Sequence, residues 1–512
     1  ARAAHQAGAP DAALRMLSVA EAGPLDRYRR SQVALLRARI AFTAERGDDA
    51  LPLLLTAARQ LAPHDVPLAR DTYLEAIGAA MFATPSAAGD GQLAAAAAAR
   101  AGPSAAQPPR PGDLLLDGIT TLIIEGHAAG VRRLRPVLQA FRGSAAVEDE
   151  VADADDGPRW FWLVTAMAAS LWDYDSCVLL ADRHVRVARR TGRLTALPLA
   201  LTGRLTAHVL AGELSTAAPM VEEVRTVSAA AGVPYPPYGA LLVAAWRGRE
   251  AECAALTSTA VAEAARRGER GPLVVGGWAT ALLRNSLGRY GDALAALADV
   301  VDHGRRDVGA VAVWALVEYV EAAARSGDVA RAAEVLRRLS ERTRPSGTDW
   351  ALGVEARSRA LLSGGATAEE LYREAVDRLG RSAVRGELAR ARLLYGEWLR
   401  RERRPRDARA QLRTAHESFT AMGMDAFARR AARELLATGE QVRKRTVGAA
   451  GELTAQEARI VRLVREGLTN PEIGARIFIS PRTVEWHLRN IFGKLAVTSR
   501  RQLQRADPGT RV

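Results

Sequence analysis

The stretch Ser480-Pro-Arg-Thr-Val-Glu-Trp-His-Leu-Arg-Asn-Ile-Phe-Gly-Lys-Leu495 decides the fold of the C-terminal part of this chain. Its apolar residues recur at intervals of four, three and four positions, the spacing of one face of an α-helix. They are Val484, Leu488, Ile491 and Leu495. A second face carries the long side chains of Arg482, Glu485, Trp486 and Arg489. A short helix anchored on one face and polar on the other predicts a helix-turn-helix that can enter the major groove of DNA.

Further short helices are predicted on both sides of this one, because side chains that favour a helix start recur at short intervals. These start signals are Thr454 with Glu457, Asn470 with Pro471, Ser480 with Pro481, and Thr498 with Ser499. Gly467 is expected to end the first helix. The residues expected to face the core from the flanking helices are Ile460, Val461, Val464, Ile473, Ile477 and Leu503.

The positive charge is concentrated in the same region. The chain carries a net charge of +13, and residues 441–512 hold 14 Lys and Arg against 6 Asp and Glu. Such a basic segment favours a polyanionic partner. Residues 439–451 are polar, contain glycine and lack a clear period, which indicates a linker. Only Lys444 and Lys494 are lysines, so we interpret the many arginines upstream as the bias of a high-GC genome.

A recurring pattern predicts helical hairpins in residues 1–438. The pattern is a turn residue, a mid-sized residue two positions later and a small residue three positions after that. Its copies are Gly8/Pro10/Ala13, Trp172/Tyr174/Cys177, Gly212/Leu214/Ala217, Gly248/Glu250/Cys253, Gly288/Tyr290/Ala293, Gly327/Val329/Ala332, Gly365/Thr367/Glu370 and Arg403/Pro405/Ala408, with Gly47 and Gly126 on the same period. Stacked hairpins share a continuous core and form a superhelix, whose concave surface suits a protein or small ligand.

These hairpins resemble tetratricopeptide repeats, because Leu287-Gly-Arg-Tyr-Gly-Asp-Ala-Leu294 matches the turn of that motif. A non-repetitive helical domain is the alternative. Two segments interrupt the period. Residues 85–111 contain an alanine run between glycine and proline clusters and are expected to form a mobile loop. Residues 148–157 are acidic but lack the spacing of a calcium-binding EF-hand, so a solvated loop is expected.

Catalytic motifs are missing, so an enzyme is not expected. A phosphate-binding Walker loop needs Gly-Lys-Ser/Thr, but Gly493-Lys494 is followed by Leu495. The eight histidines are scattered, without a pair at metal-ligand spacing. Two cysteines are too few for a disulfide framework and favour a reducing cytosol. No apolar stretch reaches the roughly 18 residues of a membrane span. We therefore expect no metal, no cofactor and no membrane contact.

The segment 452–506 closely resembles the LuxR-type DNA-binding domain. The resemblance is carried by Leu453-Thr454, Glu457, Gly467, Asn470, Glu472-Ile473, Ser480, Thr483-Val484, His487, Ile491, Lys494-Leu495 and Val497. It implies a four-helix domain over 452–507 whose third helix reads the major groove and whose fourth helix commonly dimerises. By this resemblance the base-reading residues are Glu485, Trp486 and Arg489. Phosphate or positioning contacts are implied for Asn470, Arg482, Thr483, His487, Asn490 and Lys494.

Residue 485 departs from the family, which usually has lysine there. A carboxylate cannot pair with a phosphate, but it can accept a hydrogen bond from cytosine N4. The alternative is an internal pair of Glu485 with Arg482 or Arg489. Arg489 is the strongest candidate for a specific contact, because arginine to guanine is the commonest one.

The whole chain resembles the large ATP-binding LuxR-type regulators of actinobacteria, which place an ATPase before helical repeats and this domain. Here the ATPase is missing, and ATP is expected only if an upstream domain has been truncated. The expected fold is therefore all-α, a tetratricopeptide-like superhelix followed by a helix-turn-helix. The resemblance implies a cytoplasmic, sequence-specific transcription regulator and, by family analogy, an activator. It would bind double-stranded DNA as a homodimer, and RNA polymerase and an unknown effector are further expected partners. The rival expectation is a protein-interaction scaffold with weak or non-specific DNA binding.

Overall fold

The computed structural model describes residues 1–6, 9–45, 50–83, 90–143, 160–192, 194–232, 235–303, 308–440, 455–477, 479, 481–495, 497 and 499–505. The chain divides into two compact units, residues 1–440 and 441–512. No β-strand occurs within these ranges, where an isolated antiparallel bridge joins Ala83 and Glu269. The expected all-α fold is therefore confirmed.

The first unit is a succession of helices. They are α1 (Arg2–Gln6), α2 (Pro10–Glu21), α3 (Arg27–Glu45), α4 (Ala50–Leu61), α5 (Val66–Phe82), α6 (Gly91–Ala101), α7 (Pro111–Glu125), α8 (His127–Gly143), α9 (Phe161–Ser170), α10 (Tyr174–Arg190), α11 (Leu197–Leu210), α12 (Leu214–Ala231), α13 (Tyr238–Arg247), α14 (Glu250–Arg267), α15 (Gly271–Leu287), α16 (Tyr290–His303), α17 (Ala310–Ser326), α18 (Val329–Ser346), α19 (Asp349–Leu361), α20 (Gly365–Gly380), α21 (Arg385–Arg401), α22 (Pro405–Met422) and α23 (Asp425–Ala437). The second unit contains α24 (Ala455–Arg465), α25 (Asn470–Ile477), α26 (Pro481–Lys494) and α27 (Arg500–Arg505).

The turn residues of the repeat pattern adopt the left-handed backbone conformation that ends a helix. At six of the seven predicted turns from position 172 onward, the turn residue follows a helix and its φ is positive, from +58° at Arg403 to +85° at Gly327, whereas Gly365 lies at the start of α20. Even the two residues that are not glycine, Trp172 and Arg403, have φ of +60° and +58°. The small residues that follow are fully buried in four copies: Ala217, Ala293, Ala332 and Ala408. The hairpin prediction is therefore confirmed where the structure describes it; Gly8 and Gly47 lie outside the described residues.

One copy of the pattern was placed two residues too late. Helix α20 begins at Gly365, not at Thr367, and Ala368 is the buried small residue. Glu370 is exposed. The correct copy has Ser363 at the turn, and the two glycines that follow it place the sequence pattern two positions too late.

The expected loop over residues 85–111 was wrong for its central part. Residues 91–101 form helix α6, and the carboxylate of Asp90 accepts hydrogen bonds from the backbone N–H groups of Gln92 and Leu93. Alanine is the best helix former, and Ala95 and Ala96 are fully buried. A capping aspartate and an alanine run outweigh the flanking glycines and prolines. The acidic segment 148–157 lies outside the described residues.

Aromatic side chains join equivalent positions of successive hairpins. Trp278, Trp314 and Trp350 are each 36 residues apart. Their ring centroids lie 5.8 Å apart between the first two and 5.6 Å apart between the second two. Trp350 also meets Trp172 edge to face at 5.0 Å. The superhelix therefore brings residues more than 170 positions apart into contact.

A buried ionic network lies between the inner helices α15, α17, α21 and α23. Arg390 donates hydrogen bonds to Glu318 and Glu321, and Arg430 donates to Glu321 and Glu397. All five of these side chains are less than 6 % exposed. Arg430 also donates from Nη1 to the backbone oxygen of Asn285 at 2.8 Å. Helices α15, α17, α21 and α23 are therefore joined by buried polar contacts.

Candidate nucleic-acid interface

The core of the second unit is the predicted one. Val484 and Ile491 of α26 are fully buried, and Leu488 is 5 % exposed. They pack with apolar residues of the neighbouring helices: Ile460, Val461, Leu463, Val464, Ile473 and Leu503. Ile477 and Leu495 pack at the edge of this cluster, half-buried. One face of α26 is therefore anchored, as its spacing predicted.

The turn between α24 and α25 follows from a glycine and a capping pair. Gly467 has φ of +90°, and its N–H donates to Val464 at 3.0 Å. The N–H and hydroxyl of Thr469 both donate to Oε2 of Glu472 at 2.7 Å. These hydrogen bonds lower the pKa of Glu472. Thr469 is thus the cap of α25, and the assignment of that role to Asn470 was wrong by one residue, because the capping glutamate stands three positions after Thr469.

Asn470 instead contacts α27, the fourth helix of the second unit. Its Oδ1 accepts a hydrogen bond from Nη1 of Arg500 at 2.7 Å, and the other terminal nitrogen of Arg500 donates to the backbone oxygen of Leu468. A second hydrogen bond holds this helix: Nε2 of Gln504 donates to the backbone oxygen of Val464 at 3.1 Å. Sequence reasoning missed Arg500 and Gln504. Their partners stand 30 and 40 positions away, so no local pattern signals these contacts.

The opposite face of α26 carries an ion pair. Nη2 of Arg489 lies 2.8 Å from Oε1 of Glu485, one helical turn away. The side chains are 76 % and 54 % exposed, respectively. Of the two interpretations of Glu485, the internal pair with Arg489 is therefore formed. Such an exposed pair contributes only about 0.3–0.5 kcal/mol, so a nucleic acid can readily replace either partner.

The other expected contact residues lie on or beside this face. Thr483 is exposed and His487 is half-buried. The side chains of Arg482, Trp486, Asn490 and Lys494 lie outside the described residues, although their backbone belongs to α26. Three helix-start residues, Thr454, Ser480 and Thr498, also lie outside them. Ser499 caps α27, since its Oγ accepts from the N–H of Gln502 at 3.3 Å.

An anchored helix with an exposed charged face, reached through a short turn from a preceding helix, defines a helix-turn-helix unit. Residues 451–506 match the family described as bacterial regulatory proteins, luxR family. The C-terminal unit of this chain is therefore a LuxR-type helix-turn-helix domain.

Relatives of this segment are named as regulators. A putative HTH-type transcriptional regulator of Mycobacterium tuberculosis is 49 % identical over 65 residues, 13 % of this chain and 7 % of the relative. The transcriptional regulatory protein LiaR of Bacillus subtilis is 48 % identical over 50 residues, 10 % of this chain and 24 % of LiaR. The HTH-type regulator AlkS of Pseudomonas putida is 35 % identical over 63 residues, 12 % of this chain and 7 % of AlkS. The chain thus matches at most about a quarter of any of these relatives, within the C-terminal unit.

In the described parts of the chain, no cluster of three or more His, Cys, Asp or Glu side chains is arranged to hold a metal ion. None of the described helices is long and apolar enough to cross a membrane.

Proposed function

We propose that this chain is a sequence-specific DNA-binding regulator of transcription. Its helix α26 would enter the major groove with Glu485, Trp486 and Arg489 toward the bases. The observation that carries the proposal is the pair of opposite faces on one helix. Val484 and Ile491 hold α26 to the core, whereas Arg489 projects an exposed guanidinium group from the other side.

The likeness to named regulators supports the same function and gives no support to catalysis. The phosphate and positioning contacts in this proposal come from Asn470, Arg482, Thr483, His487, Asn490 and Lys494. Asn470 would act partly through Arg500, because that arginine occupies its carbonyl oxygen.

The remaining parts of the proposal concern partners. The regulator acts in the bacterial cytoplasm as an activator, dimerises on DNA through α27 and contacts RNA polymerase. The repeat unit receives an effector, a protein or a small molecule.

The function is tested by selecting duplexes from a random pool with the full chain. Affinities for the selected duplex and a shuffled one are then compared by fluorescence anisotropy at several salt concentrations. A specific regulator binds the selected duplex about 10³-fold or more tightly at physiological salt. Equal affinity for both duplexes, with the same salt slope, would instead support the scaffold alternative.

A further inference from the structure

The repeat unit contains a cavity of about 250 Å³ between the helices of its central hairpins. Protein cores are packed as tightly as organic crystals and rarely leave voids larger than a water molecule. An engineered apolar cavity of about 150 Å³ is already large enough to bind benzene. The space in this chain is therefore a built feature rather than a packing defect.

Small residues on several helices make the space. The wall contains Ala166, Ala169, Ala181, Gly203, Ala207, Ala310 and Ala312. Gly203 of α11 is the most informative of these. A Cβ atom at this position would meet only Ala181 and Thr165, both at 3.8 Å, which is ordinary contact distance. A larger side chain at Gly203 would therefore extend into the cavity without striking the backbone.

Several aromatic side chains also line the cavity. Phe82 and Trp162 lie with ring centroids 5.7 Å apart, and Tyr235 and Tyr238 lie 5.8 Å apart. Trp314 completes the set. Such rings offer faces and edges on which a planar ligand can stack.

The described lining carries no Asp, Glu, Lys or Arg, although a quarter of the chain's residues are charged. Burial lowers the pKa of the lining residue His184 to about 4, so its imidazole is neutral at pH 7. A neutral imidazole presents one donor and one acceptor. A charged ligand would lack a counter-charge here, whereas an acceptor atom would find a donor.

We propose that this cavity binds a small, uncharged aromatic molecule that carries a hydrogen-bond acceptor such as a ketone oxygen. The uncharged wall disfavours ions, the aromatic rings stack on the aromatic part of the ligand, and His184 donates to its acceptor atom. A role for this ligand as the effector of a regulator rests on the function proposed above. Binding of the ligand does not depend on that function, because the cavity lies wholly within the repeat unit.

The probe is 6-propionyl-2-dimethylaminonaphthalene, a neutral naphthalene ketone whose emission shifts to the blue in apolar surroundings. It is titrated into the full chain without DNA. The expected result is saturable binding of one molecule per chain with blue-shifted emission. Gly203→Leu, which fills the cavity, weakens binding by at least about tenfold. Gly291→Leu is the matched control, since nothing lies within 4 Å of a Cβ at that exposed helical glycine, and it leaves binding unchanged.

His184→Phe supplies a second measurement that does not depend on filling the space. It keeps a ring in the wall but removes the imidazole donor, so it weakens binding several-fold and shifts the emission of the bound probe further to the blue. Circular dichroism and thermal melting confirm that each variant is folded. Absence of saturable binding to the parent chain overturns the proposal, as does parental affinity in a folded Gly203→Leu or His184→Phe. Either result leaves the DNA-binding function standing, because that function is measured on DNA alone.

Discussion

Arg390 and Glu318 form a bidentate salt bridge inside the repeat unit. Nη1 of Arg390 lies 2.6 Å from Oε1 of Glu318, and Nη2 lies 2.8 Å from Oε2. The side chains are 1 % and 2 % exposed, and they stand 72 positions apart, about two repeats. The guanidinium group also lies 5.4 Å from the ring of Phe427. The pair therefore joins α17 to α21 across the inner side of the superhelix.

Replacing Arg390 is expected to destabilise the repeat unit strongly. Arg390→Met leaves Glu318 buried without its main counter-charge, and a broken buried pair costs about 3–5 kcal/mol. The free energy of unfolding is measured by urea denaturation of the full chain. The control is Arg337→Met, whose partner Glu341 forms an exposed pair, with side chains 63 % and 60 % exposed. Similar losses in both variants would contradict a structural role for the buried network.

Acid is expected to destabilise the chain below pH 6.5. Burial lowers the pKa of His184 from the ordinary 6.5 to about 4 and that of His127 to about 3. The unfolded chain therefore binds protons first as the pH falls. The stability from these neutral imidazoles is complete above pH 6.5 and is lost towards pH 4. Urea midpoints at pH 7 and pH 5 measure the loss, and His184→Phe should reduce it. The exposed His64→Gln variant should show the parental loss.

Arg489→Ala is expected to weaken binding to the selected duplex by roughly 1–3 kcal/mol and to relax the preference at one base pair. The reason is that arginine pairs with two acceptors of guanine in the major groove. Anisotropy titrations with the selected duplex and its single-base variants measure both effects. Arg459→Ala, exposed on α24, serves as the control. A loss that is uniform over all duplexes would make Arg489 a phosphate contact instead.

Glu485→Gln is expected to tighten binding to random DNA by a factor of about two to five, because it removes a negative charge from the binding face and its ion pair with Arg489. Competition titrations at two salt concentrations measure the change. If Glu485 accepts from cytosine N4, the selected duplex should lose affinity in the same experiment and only one base pair should be affected. The internal pair alone predicts a gain on both duplexes.

Leu488→Ala tests the anchored face next to Arg489. Leu488 is 5 % exposed in the core of the second unit, so truncation should cost about 2–5 kcal/mol of its stability. Hydrogen exchange of peptides from residues 455–505 should accelerate, and binding to all DNA should fall together. Unchanged exchange in Leu488→Ala would mean that α26 is not held by this core. Arg489→Ala should leave the exchange rates as in the parent chain.

Local patterns predicted much of the fold because they report contacts within one or two helical turns. The spacing of Val484, Leu488 and Ile491 was enough to define the buried face of α26. The same holds for the left-handed turns of the hairpins, which even Trp172 and Arg403 adopt. Sequence patterns failed where local signals competed, as in the alanine run of α6, and where two glycines follow the turn residue, as after Ser363.

The sequence by itself determined the helical hairpins, the helix-turn-helix and the position of its exposed face, since each depends on spacings of a few residues. Only the tertiary structure decided which arginines are buried. Sequence analysis assigned the upstream arginines to composition, yet Arg390 and Arg430 lie inside the repeat unit beside glutamates of other helices. The tertiary structure also decided that Asn470 contacts Arg500 and that small residues of several hairpins line one cavity. These contacts join residues that no local period relates, so they exist only once the helices have stacked.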